Sequence, residues 1–365
     1  FNMRSNYISS FDCCLGDISS IGSIKLILGR ACNMSCPHCS QNVCKDEIKT
    51  TIIDDAVLDF VFSLAKEKQN KTNKILNISF WGGEPLLYWN IIVNIVDALK
   101  LKGLSSEDIS YSVFTNGLLL TREKIAYMES NNFILIMSYD SPNPLAIRSN
   151  VPSQENIDLF NSYVGKKIVN SVYNAKTESL YLMYEKMNEI FPNANKSMGW
   201  IRDGVGVPKD LVTFPPGKVE QDLKELYFST FHELSDCSSI FKNFYQIYEK
   251  RKLDCHSYAS TPFPHCNSMI KLLTMDLIGN IYICHNTEHL IGNILNESFS
   301  NLQLKALKIW GNALPSKCRD CKWLGICKNG CTEYTRTDDG KSLKQCAFFQ
   351  EYYNTLEKIM ILGEI

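Results

Sequence analysis

The chain lacks any charge imbalance: 38 Lys and Arg stand against 39 Asp and Glu, intermingled, for a formal net charge of −1. Nucleic acid and anionic lipid are held by concentrated basic patches, so neither is an expected partner. No apolar run approaches the roughly 20 residues that span a bilayer, and no basic end followed by an apolar stretch opens the chain. No membrane association is therefore expected, and a cytoplasmic location is. Phe1 and Asn2 precede Met3, which is expected to be the natural start. Internal repeats and low-complexity tracts are also missing. What the chain has in quantity is cysteine, fifteen in 365 residues. The number is odd and no export signal accompanies it, which argues against a disulfide framework and for thiolates gathered around metal. With 45% hydrophobic residues, the chain can bury a large core and build two or three domains.

From Ser23 to about Phe214, short apolar stretches alternate with amphipathic ones, the pattern of parallel strands joined by crossover helices. Expected strands are Ile24 to Leu28, Ile75 to Phe80, Tyr111 to Thr115, Phe133 to Tyr139 and Lys167 to Val172, with a sixth near Lys196 to Ile201. Asp54 to Lys68, Leu86 to Leu101, Thr121 to Asn131 and Glu178 to Phe191 carry apolar residues at helical spacing. Asp203 to Lys218, rich in Gly, Pro and Val, reads as a connecting loop, and Val219 to Lys252 as a long helix. Beyond it a hairpin is expected, Lys271 to Met275 against Asn280 to Cys284, followed by a helix near Asn301 to Trp310.

The most informative motif is Cys32-x3-Cys36-x2-Cys39. Three thiolates in one short loop are too few to saturate an iron-sulfur cluster and leave one iron open to an outside ligand; a zinc knuckle is the competing reading. The loop directly follows the first strand, at the carboxyl end where parallel barrels place their chemistry. Gly82-Gly83-Glu84-Pro85 follows the second strand, where two glycines would let the backbone approach a ligand closely. Thr115-Asn116-Gly117 ends the third strand and Ser138-Tyr139-Asp140 the fourth, with Arg148 a few residues beyond.

The cysteine run closely resembles that of the radical S-adenosylmethionine (radical SAM) enzymes. The resemblance implies that Cys32, Cys36 and Cys39 hold a [4Fe-4S] cluster whose fourth iron is chelated by S-adenosylmethionine. Reductive cleavage then yields a 5'-deoxyadenosyl radical that abstracts hydrogen. It further implies that Gly82, Gly83, Glu84 and Pro85 contact the cofactor's amino group, that Asn116, Ser138 and Asp140 reach its ribose and carboxylate, and that Arg148 lies near the carboxylate. The residue before the third cluster cysteine is usually aromatic and rests against the adenine; here it is His38, which can still stack.

Further on, Cys266-x12-Gly279-x4-Cys284, Cys318-x2-Cys321-x5-Cys327-x3-Cys331 and Cys346 resemble the pattern of the SPASM domain, a carrier of two auxiliary [4Fe-4S] clusters. By that resemblance Cys266, Cys284 and Cys331 ligate the first auxiliary cluster and Cys318, Cys321, Cys327 and Cys346 the second. Cys255, with Cys237 behind it, would complete the first. Three clusters in all are thus expected, with two ribbon-type zinc sites as the alternative. Cys13, Cys14 and Cys44 have no motif role.

The implied architecture is α/β: residues 1–22 an N-terminal segment, 23–218 a partial (β/α)6 barrel, 219–254 a bridging helix, and 255–365 a loop-rich SPASM domain with a C-terminal helix. SPASM members mostly modify peptides. The expected activity is hydrogen abstraction from a residue of a ribosomally made precursor peptide, forming a thioether or carbon–carbon crosslink. The alternative is an anaerobic sulfatase-maturating enzyme oxidising Ser or Cys to formylglycine, which carries an aspartate base where this chain has His285; His285 or Tyr282 would have to replace it. A reductant such as flavodoxin or ferredoxin is implied. So is leader recognition by a separate partner or another surface, since little chain precedes Cys32.

Overall fold

The computed structural model describes residues 16–39, 41, 52–140, 143, 147–203, 206–230, 241, 248, 268–286, 289–310, 321–327 and 345–362. Its spine is one nine-stranded sheet. Six strands follow each other in chain order: β1 (Ser23–Ile27), β2 (Leu76–Trp81), β3 (Ile109–Thr115), β4 (Phe133–Ser138), β5 (Lys167–Tyr173) and β6 (Asn195–Trp200). All are parallel, as strands separated by helical crossovers must be when the connections run back over one face. Every expected strand is present, each displaced by at most two residues. The helices between them are α1 (Asp55–Thr72), α2 (Trp89–Leu101), α3 (Arg122–Ser130), α4 (Gln154–Ser162) and α5 (Leu180–Ile190). Helix α4 was not anticipated. It is short, and its start is fixed by a reciprocal Ser153–Asn156 capping box in place of a long apolar stripe.

One face of the sheet is apolar and carries the helices. Ile24, Leu26, Ile78, Phe80, Val113 and Leu135 are almost wholly buried there. Phe80, Tyr111 and Phe133 stack on neighbouring strands with centroids 5.2–6.1 Å apart. The opposite face is polar along β1 to β3. Ser112 Oγ lies 2.8 Å from Ser79 Oγ and 3.1 Å from Asn77 Oδ1, Asn77 Nδ2 donates to Ser110 at 3.1 Å, and the Trp81 indole donates to Ser79 at 3.1 Å. Parallel sheets ordinarily bury apolar side chains on both faces, so this alternation marks a surface that lines something other than core.

After β6 the stretch expected to be a loop contains a one-turn helix, α6 (Lys209–Val212), behind Pro208. Its Leu211 and Val212 join Ile147, Ile201 and Val207 in a small separate core, too short a segment to show periodicity. Helix α7 (Lys218–Thr230) opens the expected long helix, most of whose remainder lies outside the described residues. The anticipated hairpin forms from β7 (Leu272–Asp276) and β8 (Asn280–Tyr282), and β9 (Leu290–Asn293) adds a third strand. Strand β7 also pairs parallel to β1 over five residues, so the sheet order is β6-β5-β4-β3-β2-β1-β7-β8-β9. The C-terminal strands thereby continue the sheet that carries the Cys32–Cys39 loop. Helix α8 (Phe299–Trp310), the short α9 (Leu324–Cys327) and α10 (Cys346–Glu357) follow. Helix α10 closes on the β6 end, where Phe348, Phe349 and Tyr352 surround Trp200 at 5.2–6.1 Å. Among the described residues no helix is long and apolar enough to cross a membrane.

Candidate active site

Strand β1 delivers the chain into the cysteine loop, and β2 holds it there. Sheet-like hydrogen bonds continue past both strand ends: Leu28 N to Trp81 O at 2.9 Å, Gly83 N to Gly29 O at 3.0 Å and Glu84 N to Ala31 O at 2.9 Å. The two glycines are required by this approach. A Cβ on Gly82 would sit 2.2 Å from Gly29 O, and one on Gly83 2.2 Å from Ala31 O. Their smallness therefore serves the contact between two backbones, a role the sequence did not suggest. Tyr88, also unanticipated, accepts from Ala31 N at 2.9 Å and lies over Gly29, whose Cβ would meet its hydroxyl at 2.2 Å.

Within the loop Cys32 is exposed, Cys36 buried and Cys39 half-buried, and Cys39 N donates to Cys36 O at 3.1 Å. Although Cys32 is exposed at the surface, the protein around its sulfur desolvates it in part and pushes the thiol up, against a hydrogen bond with the Met34 backbone and with the help of the nearby Glu84 carboxylate. Among the described residues no three His, Cys, Asp or Glu side chains gather tightly enough to hold a single metal ion. Each thiolate of a [4Fe-4S] cube binds a different iron, so these thiols need not converge on one point, and a set of three loop thiols fits that group.

Glu84 is turned inward, 1% exposed. Its carboxylate accepts from Leu86 N at 2.9 Å, Thr115 Oγ1 at 2.8 Å and Asn116 N at 2.8 Å, tying the end of β2 to that of β3. Burial pushes its carboxyl up, and the three donors pull it back. Asn116 in turn donates its side-chain amide to Asn33 Oδ1 at 2.7 Å, inside the cysteine loop.

A second clasp comes from beyond β4. Arg148 Nε lies 2.5 Å from Asp140 Oδ2, both side chains buried, while Asp140 Oδ1 accepts from Val172 N at 2.7 Å. His38 places Nδ1 2.7 Å from Ile147 O and Nε2 3.7 Å from Asp140. A carbonyl can only accept, so Nδ1 carries hydrogen. Burial lowers the His38 pKa and Arg148 adds to that, against Asp140. Ser149 Oγ accepts from Ser35 N at 2.8 Å. Asp140, Arg148 and His38 are thus brought together as one network bracing the loop. Ser138, at the end of β4, is half-buried.

On the polar sheet face, directly below, lies a cluster that sequence reasoning recognised only in part. Lys25 Nζ is 3.2 Å from His285 Nδ1 and 4.1 Å from the centre of the Trp81 ring. His285 packs on Trp81 at 4.0 Å, and Trp81 on Phe114 at 4.3 Å. Burial and then the Lys25 ammonium hold His285 well below the usual imidazole range. Tyr282 donates to Asp276 Oδ2 at 2.9 Å, and burial, with the Asp276 charge, pushes its hydroxyl up to about 12. Asp276 also accepts from Ile278 N, Asn280 N and Asn280 Nδ2, and so shapes the hairpin turn. Lys25, Trp81 and Phe114 could have been found from the period-two alternation of polar or aromatic residues in β1 to β3.

Of the expected auxiliary ligands, Cys255, Cys266, Cys318 and Cys331 lie outside the described residues, as does Cys237. Cys284 follows β8 and is half-buried; Cys321 and Cys346 are half-buried and Cys327 is 9% exposed. The turn bearing Cys321 and Cys327 is fastened to α10, which begins at Cys346, by Trp323: its indole donates to Asn354 Oδ1 at 3.0 Å and its ring lies 5.6 Å from Tyr353.

Residues 26–174 match the model of the Radical SAM superfamily. The radical SAM cyclopropyl synthase TigE of Paramaledivibacter caminithermalis is 29% identical over 179 residues, a match that spans 43% of this chain and 36% of that enzyme's length. The cysteine-type anaerobic sulfatase-maturating enzyme of Clostridium novyi is 21% identical over 359 residues, covering 90% of this chain and 92% of its own. In fold, native anSMEcpe with bound AdoMet superposes with a TM-score of 0.72 at 18% identity, over 94% of this chain and 99% of that one. Streptococcus suis SuiB bound to precursor peptide SuiA gives 0.59 at 15% identity, over 93% and 80%. A radical SAM domain implies S-adenosylmethionine and a [4Fe-4S] cluster. The chain is an enzyme that carries a Radical SAM domain over residues 26–174, and it is similar in sequence to TigE and to the anaerobic sulfatase-maturating enzymes.

Proposed function

We propose that the enzyme matures a ribosomally made precursor peptide, removing a hydrogen atom from one of its residues and closing a thioether or carbon–carbon crosslink. The observation that carries this reading is the polar sheet face beneath the Cys32–Cys39 loop, with Lys25, Trp81 and His285 at its centre: a lining suited to an amide-rich chain. Peptides bound to similar folds support it: SuiB with precursor peptide SuiA and native anSMEcpe with the Kp18Cys peptide.

In this reading Cys32, Cys36 and Cys39 hold the first cluster. When bound, cluster and sulfonium cofactor supply one-electron cleavage and hydrogen-atom abstraction. The chain's own residues fix geometry. Gly82 and Gly83 admit the close backbone contact that orients the loop, and Glu84 locks β2 to β3. His38, Asp140 and Arg148 brace the loop from the other side, and the sheet face holds the peptide. Such positioning is how a reactive species is confined to one carbon. Cys255, Cys266, Cys284, Cys318, Cys321, Cys327, Cys331 and Cys346 would hold two auxiliary clusters in a C-terminal domain, residues 255–365. A flavodoxin-like or ferredoxin-like reductant and a leader-presenting partner complete the proposal.

Formylglycine formation from Ser or Cys is supported equally by near full-length similarity to sulfatase-maturating enzymes. Both readings share a peptide substrate and part at the product. Anaerobically reconstituted enzyme with S-adenosylmethionine and dithionite should release 5'-deoxyadenosine. Tandem mass spectrometry of candidate peptides after treatment with a hydrazide then separates the two: a crosslink loses two hydrogens and forms no adduct, whereas formylglycine, which from Ser loses two hydrogens as well, reacts as an aldehyde. No 5'-deoxyadenosine at all would end both.

A further inference from the structure

Strand β6 is the last of the parallel run, and its outer edge faces no strand among the described residues. Six residues pair with β5 in unbroken register, and Ile201 N continues the ladder to Tyr173 O at 2.9 Å. Neighbouring residues of a strand point their backbone polar groups to opposite sides. Ser197 and Gly199 therefore share with Ile201 the side that bonds β5, and Met198 and Trp200 turn N–H and C=O outward. No hydrogen bond engages these two outward amides among the described residues. Natural sheets blunt such an edge with a bulge or a proline, and Asn195–Trp200 has neither.

The side chains alternate too. Met198 and Trp200 pack against the core on the helix-bearing face, so Ser197 and Gly199 look onto the opposite one. There Ser138, Asn170 and Ser197 stand in register across β4, β5 and β6, extending the polar lining to the open edge. The fold itself does not ask for Gly199: its φ is not left-handed, and a Cβ would meet nothing within 4 Å. A glycine inside a strand weakens it, and often marks where a ligand or another backbone comes close. The carboxyl end of the strand leads to the cysteine loop. Ile201 shares a small core with Ile147, whose carbonyl accepts from His38 Nδ1 at 2.7 Å.

We propose that the outer edge of β6 is the docking strand for the precursor peptide, which adds to the sheet as an extended segment bonded to Met198 and Trp200, beside Gly199, and is led from there toward the Cys32–Cys39 loop. The proposal rests on the reading of a peptide substrate and names the surface that receives it. Recognition of this kind draws its affinity from main-chain hydrogen bonds, so it tolerates many sequences.

The test is amide hydrogen exchange of the reconstituted enzyme at single-residue resolution, with SuiA and the Kp18Cys peptide as probes, each in excess. Without peptide, the Met198 and Trp200 amides should exchange faster than those of Ser197 and Gly199. With either probe they should slow about 3-fold to 10-fold, the net worth of one hydrogen bond, while Ser197 and Gly199 hold. Met198→Pro removes one outward N–H, leaves the ladder to β5 its donors, and should lose the slowing at Trp200. Outward amides already protected without peptide, no alternate slowing with either probe, or slowing that survives in Met198→Pro overturns the proposal. Where Met198→Pro does not fold, the wild-type pattern decides alone. Exchange needs no turnover, so a failed maturase reading would show in the product assay as unconverted peptide and leave the edge result standing.

Discussion

Removing the Glu84 carboxylate should cost far more than a lost ligand contact, because three donors depend on it. In Glu84→Ala the Leu86 and Asn116 amides and the Thr115 hydroxyl lose their acceptor in a position 1% exposed. An orphaned buried donor costs about 1–3 kcal/mol, and with some relaxation the sum is about 3–5 kcal/mol. Glu84→Gln is the sharper probe. Its amide oxygen can still serve Leu86 and Thr115, but its NH2 group faces the Asn116 N–H, donor against donor. The expected cost is about 1–3 kcal/mol, read locally as about 5-fold to 150-fold faster exchange of the Asn116 amide. Hydrogen exchange on both variants, with denaturant unfolding for the global value, makes the measurement. Unfolding of Glu84→Ala within 1 kcal/mol of wild type, together with unchanged Asn116 exchange, would refute the claim that this carboxylate ties β2 to β3.

Gly83→Ala should displace the cysteine loop, since its Cβ would lie 2.2 Å from Ala31 O; a loss of about 1–3 kcal/mol and of 5'-deoxyadenosine formation is expected, checked by unfolding and product assay. Asp140→Asn breaks a buried ion pair with Arg148 and should destabilise by about 3–5 kcal/mol, measured by denaturant unfolding. Burial raises the Asp222 carboxyl despite donation from Tyr173 at 2.7 Å and Lys218 nearby. Its folded pKa exceeds the unfolded one, so its contribution is full below the ordinary aspartate value and is lost as pH rises through the folded value. Stability curves across that range should be flatter in Asp222→Asn than in wild type. Replacing Cys32, Cys36 and Cys39 together with Ala should abolish cofactor cleavage while iron bound elsewhere persists; retained 5'-deoxyadenosine production would contradict their assignment.

The first five parallel strands were legible because each carries β-branched or aromatic residues between helical stretches, and the crossover rule leaves few ways to connect them; β6 (NKSMGW) has only Trp200 of that kind and was the weakest to read. The pairing of β7 with β1 was not legible: it joins residues about 250 apart, and no local pattern encodes so distant a partner. The site divides similarly. The cysteine loop and the Gly82–Pro85 turn announce themselves by spacing, whereas the carboxylate of Glu84 facing Thr115, or Arg148 facing Asp140, depends on how strand ends meet in space. Lys25 escaped notice because a lone lysine in a strand reads as a solvent-facing residue until His285 and Trp81 are seen packed around it.

The central claim is that the Cys32–Cys39 loop holds a [4Fe-4S] cluster with one iron free of protein sulfur. Electron paramagnetic resonance of the reduced, anaerobically purified enzyme, with metal analysis on the same sample, tests it directly. The account predicts iron, and a cluster signal that changes when S-adenosylmethionine is added. Zinc in place of iron, or a signal indifferent to the cofactor, would contradict it.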